Sequence, residues 1–90
     1  MTVAPAASCR VDAGVSGTLA LHGELVFATA AQALAQADAE LARDGAAQLD
    51  LAGISGADSA GLACVLALMA AEHARGRRLQ VRNLPAGLHA

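Results

Sequence analysis

From Cys9 to Ala13, apolar and polar residues alternate (Cys, Arg, Val, Asp, Ala), a period of two that predicts a strand with one covered face. Gly14 to Gly17 carries turn chemistry, and Thr18 to His22 alternates again, with Leu19 and Leu21 on one side. The two runs predict a β-hairpin whose second strand closes on Gly23-Glu24-Leu25. The period then changes. Across Phe27 to Arg43, Ala30, Leu34, Ala37 and Leu41 recur at helical spacing, with Gln32, Gln36, Glu40 and Arg43 opposite. Asp44-Gly45 ends this helix, with Gly45 suited to a left-handed cap. Gln48 to Ile54 predicts a third strand, Ser55 to Asp58 a loop, and Ser59 to Arg75 a second helix. On that helix Leu62, Leu66, Met69 and His73 are expected to face the core, with Val65 and Leu68 beside them. Gly76 stops it, and Leu79 to Arg82 alternates as a fourth strand.

The order is β-β-α-β-α-β. Helical crossovers join parallel strands with a right-handed turn, so the expected architecture is α/β, a four-stranded mixed sheet with its helices packed on one face. Met1 to Ser8 is expected to be a loose tail and residues 9–90 a single domain.

Composition sharpens this. The chain has 90 residues, 56% hydrophobic, with one Phe and no Trp or Tyr, so its core must close through small side chains rather than aromatic anchors. Its net charge is −2 and every cation is Arg. There is no basic stripe with stacking aromatics, so nucleic acid is not an expected partner. Arg75, Arg77, Arg78 and Arg82 follow the last acid, either as cations complementing a helix C-terminus or as a surface for an acidic partner. Cys9 and Cys64 lack any ligand spacing, so reduced thiols without a metal are expected. The N-terminus is not a secretory signal, and the run Leu62–Ala71 is too short to span a bilayer, so a cytoplasmic protein without membrane insertion is expected.

No catalytic constellation stands out. There is no G-x-S-x-G elbow, and without lysine there is no P-loop. His22, His73 and His89 are scattered, and Glu24 with Asp50, if adjacent at strand ends, is only a carboxylate pair. The chain reads as a non-enzyme without cofactor. The informative segment is Asp58-Ser59-Ala60-Gly61-Leu62. Asp58 or Ser59 is a natural N-cap, and the position after a strand lies at the carboxyl edge of the sheet, where α/β folds place their sites. Taken alone it is either an ordinary capped helix or a binding site. The small residues Ala60, Ala63, Cys64, Ala67 and Ala71 are either an alanine-rich helix face exposed without purpose or a flat surface that another helix can approach closely.

Gly23-Glu24-Leu25, Leu49-Asp50-Leu51, Asp58-Ser59-Ala60-Gly61-Leu62 and Gly76-Arg77-Arg78-Leu79, in this order of elements, resemble the STAS domain family over roughly Cys9 to Leu84. That family includes anti-sigma factor antagonists and the small cytosolic subunit of the Mla phospholipid-transport ABC system. The resemblance implies a protein-interaction module that contacts its partner through Asp58, Ser59, Ala60, Gly61, Leu62 and Ala63. In the Mla branch the partner is the ABC ATPase subunit, which the module binds and stabilises. In the antagonist branch it is an anti-sigma factor kinase, and the hydroxyl matching Ser59 is phosphorylated. Ala60, where many antagonists carry a second serine, and the ending Arg82-Asn83-Leu84-Pro85-Ala86 favour the Mla branch. Val26 and Phe27 stand where the family often has an Asp, and the chain stops soon after Pro85, so a last helix is short or missing. Apolar surface beside Leu84 and Leu88 would then leave the chain either self-associating, as in a homodimer, or unstable alone.

Overall fold

A computed structural model describes residues 6–85. The expectations for Met1–Pro5 and for residues 86–90, the stunted last helix and Leu88 among them, lie outside the described residues. The elements are β1 (Cys9–Val15), β2 (Thr18–Leu25), α1 (Phe27–Asp44), β3 (Gln48–Ala57), α2 (Ser59–Ala74) and β4 (Gln80–Arg82). The sheet order is β1-β2-β3-β4, with β1 antiparallel to β2 and the β2–β3 and β3–β4 pairs parallel. This is the mixed sheet that the alternation of periods implies.

Leu19, Leu21 and Leu25 of β2 and Leu49 and Leu51 of β3 point to one face, where they meet Ala33, Ala37 and Leu41 of α1 and Cys64, Val65 and Leu68 of α2. All of these are buried, and none is aromatic. Alanine at the contact positions of α1 lets the helix lie close to the sheet, which compensates for the missing large side chains. The other sheet face carries polar groups, among them Arg10, Asp12, His22 and Asp50. His22 lies within β2. Its ring crosses Gly53, where an added Cβ would stand 2.1 Å from Nδ1.

Three expectations need correction. The predicted loop at Ser55–Asp58 is mostly strand, because β3 stays paired with β2 as far as Leu25 opposite Ala57, past register shifts near Gly53 and Gly56. Only Asp58 separates strand from helix. Second, α2 is turned by one residue, about 100°. Its buried positions are Gly61, Cys64, Val65, Leu68 and Glu72, while Leu66 is 55% and Met69 40% exposed and His73 is exposed. Apolar residues surround this helix, so periodicity could not choose the face. Third, Glu24 and Asp50 do not meet: Asp50 pairs with Ala20, four residues along β2 from Glu24, roughly 13 Å at strand rise.

Glu72 helps fix the face. Its carboxylate is fully buried, with Arg75 at 2.7 Å and Arg77 Nε at 2.9 Å. Arg75 also reaches Asp38 of α1 at 2.8 Å, and Arg77 donates to the Leu41 carbonyl at 3.0 Å. Two of the C-terminal arginines therefore clamp the ends of both helices instead of facing a partner. A buried charge is tolerated only where it is paired in this way.

The turned face gives a direct comparison. Leu68→Ala should cost about 2–5 kcal/mol in denaturant unfolding, whereas Leu66→Ala should stay within about 0.5 kcal/mol of the parent. The reverse ranking would restore the face expected from periodicity.

Candidate functional site

The carboxyl edge of the sheet brings together the ends of β2 and β3 and the starts of both helices. Asp58, with extended backbone (φ −132, ψ −167), is the N-cap of α2. Its Oδ1 accepts from the Ala60 amide at 2.9 Å and the Gly61 amide at 3.1 Å. Its Oδ2 accepts from the Phe27 amide, the first of α1, at 3.0 Å. One carboxylate thus satisfies free donors at two helix starts.

The second contact matters because α1 has no polar cap of its own. Its N-cap position is Val26, whose side chain accepts nothing. Thr29 supplies part of what is missing: its hydroxyl accepts from the Val26 amide at 3.0 Å and donates to the Glu24 carbonyl at 2.7 Å. Asp58 supplies the rest from 31 residues away. Hydrogen bonds from Phe27 above all, then Gly61 and Ala60, hold the Asp58 carboxyl below the usual carboxylate range.

Ser59 is the first residue of α2. It is exposed, and its hydroxyl makes no hydrogen bond among the described residues. Ala63 is exposed, while Ala60 and Leu62 are half-buried. Gly61 differs from the rest of the expected contact set. It is buried against the end of β2, where a Cβ would come within 2.2 Å of the Leu25 carbonyl oxygen, so it sets helix–sheet packing and offers no surface to a partner.

The structure adds a residue that sequence reasoning passed over as a binding residue. Phe27, the chain's only aromatic, is 85% exposed. It stands at the head of an apolar groove between the helices, with Leu34 on the α1 side and Ala60, Ala63 and Ala67 on the α2 side. The groove runs on past Ala35 and Ala71 towards Asp38. The available signal was a lone aromatic at the first position of a helix. Cys64 lies under the groove, and burial pushes its thiol up to about 11, so it is protonated and unreactive at neutral pH. Among the described residues no group of three or more His, Cys, Asp or Glu could hold a metal ion, and no helix is long and apolar enough to cross a membrane.

Comparison with known proteins agrees with the fold. The sequence model described as "Mlab, STAS domain" matches residues 9–90. The chain belongs to the STAS domain family. The solved structure of the anti-sigma factor antagonist SpoIIAA in its unphosphorylated form superposes on this STAS domain with a TM-score of 0.64 at 20% identity. The match covers 86% of this chain and 74% of that one, and at such identity it speaks for the fold alone. No curated protein matches the chain in sequence.

The capping geometry sets a pH dependence. The Asp58 pKa is lower folded than unfolded, so its stabilisation is present above the unfolded value, about 4, and is lost as pH falls through the folded value. Asp58→Ala should therefore be less stable than the parent at pH 6, with the gap narrowing below about pH 4. Urea unfolding at a series of pH values checks this, and a constant gap would mean the carboxylate charge plays no part.

Proposed function

We propose that this STAS domain is a non-enzymatic interaction module of the cytoplasm that binds and stabilises the ATPase subunit of an Mla-type phospholipid-transport ABC system. The observation that carries the reading is the exposed, unbonded hydroxyl of Ser59 at the tip of a helix whose position Asp58 fixes. A hydroxyl so placed is open to a partner, and the groove that begins at Phe27 and Ala60 supplies adjoining apolar area. The description of the matching family model favours the Mla branch, as does Ala60 in place of a second serine. In this reading the contact set is Asp58, Ser59, Ala60, Leu62 and Ala63, with Gly61 shaping it from below. The ATP chemistry belongs to the partner, and the domain acts by holding it in a competent form.

The second reading is an anti-sigma factor antagonist controlled by phosphorylation of Ser59. The same exposure favours it, since a kinase needs a reachable hydroxyl. A phosphate at a helix N-terminus is tolerated by the fold, while its charge would disrupt a partner's apolar contact.

The readings separate when the domain is mixed with the ATPase or the kinase encoded beside its gene. Tight ATPase binding without phosphate supports the first, and ATP-dependent phosphate on Ser59 supports the second. In either case Ser59→Asp should weaken binding at least tenfold, about 1.4 kcal/mol. Unchanged affinity in Ser59→Asp would reduce Ser59 to an ordinary first residue of a helix.

A further inference from the structure

We propose that the open edge of β3, from Gly53 to Ala57, receives an extended segment of another protein as a fifth strand, its apolar side chains tucked under Leu62 and Leu66 of α2. The inference stands on the sheet and is independent of the role given to Ser59.

β3 has 10 residues and β4 has 3, and their pairing runs only from Gln48 opposite Gln80 to Asp50 opposite Arg82. The next residue, Asn83, turns the chain away. Its backbone is left-handed (φ 57), which asparagine tolerates better than most residues, and its side chain donates to Asp50 Oδ1 at 2.8 Å. Beyond Asp50, β2 is the only strand beside β3 among the described residues. The lane that β4 begins thus stays open along the rest of β3, roughly 16 Å from Gly53 to Ala57 at strand rise.

An apolar roof covers this lane. α2 runs back over the sheet from the end of β3, and Leu62, Leu66, Met69 and His73, three or four residues apart, share one side of it. That side faces β4, because Met69, Ala70 and His73 line a hollow with Leu79, which leads into β4. By helix rise against strand rise, Leu62 and Leu66 stand about level with Gly56 and Ile54. Leu66 is 55% exposed and Leu62 half-buried.

The edge itself selects the occupant. Main-chain donors and acceptors along an open strand are met by another extended backbone, whereas a helix uses its own internally. Gly53 and Gly56 place no side chain where a second backbone approaches. From Leu51 to Ala57 there is neither charge nor proline, the residues that guard exposed edges. The other free edge, β1, carries Arg10 and Asp12. Above the lane lie the leucines of α2, and below it the sheet is polar, with His22 and Asp50. The segment therefore alternates apolar and polar residues.

A synthetic peptide of alternating Val and Thr between terminal Lys residues, and the same peptide with its interior amides N-methylated, provide the test. The unmethylated peptide should slow hydrogen exchange at the amides of Gly53 to Ala57 in the full chain. It should also bind at least tenfold more tightly than the methylated form, which cannot donate along the edge. Leu66→Gln, at an exposed helix position, should keep the parent's circular dichroism and weaken the peptide at least threefold. No binding, equal binding of the two peptides, undiminished binding to Leu66→Gln, or protection confined to Cys9–Val15 would each overturn the proposal. So would sedimentation showing dimers in which Gly53 to Ala57 are already protected, since a second copy would then fill the lane.

Discussion

A single carboxylate, Asp58, holds the site together. Two oxygens accept three backbone donors, from Phe27, Ala60 and Gly61, and these belong to different helices. Each helix start is otherwise short of polar caps, and α1 begins after a valine that cannot serve as one. The junctions β2–α1 and β3–α2 are consequently tied at one point. Ser59 and Phe27 flank that point, so their relative position follows from the capping.

Packing depends on the same junction from below. Gly61 lets the first turn of α2 rest on the Leu25 carbonyl, and no residue with a Cβ fits there. At the other end, Glu72, Arg75, Arg77 and Asp38 tie the helix C-termini with buried and half-buried charge. Between the two ties lies the apolar groove that begins at Phe27.

Much of this was legible in the sequence. Alternation over Cys9–Ala13 and Thr18–His22, and helical spacing from Ala30 to Leu41, gave the element order. The Asp-Ser-Ala-Gly-Leu block located the head of α2 because an N-cap has a short-range signature. What stayed hidden depends on contacts far apart in sequence. The buried face of α2 includes Glu72, held by Arg75 and Arg77, a pairing that periodicity cannot express when Leu62, Leu66 and Leu68 offer apolar choices all round. The extension of β3 through Ser55 and Gly56 comes from pairing with β2, and glycine and serine there mimic a loop. The reach of Asp58 to Phe27 spans 31 residues and leaves no local pattern. The exposure of Phe27 was equally unmarked, since a lone aromatic is ordinarily taken for core.

The central claim is that one ionised carboxylate holds both helix starts at once. Following the Asp58 carboxyl and the amides of Phe27, Ala60 and Gly61 by NMR through an acid titration tests it most directly. The account predicts one shared midpoint below the ordinary aspartate range for all four signals. A Phe27 amide indifferent to that titration, or an Asp58 midpoint at the ordinary aspartate value, would contradict it.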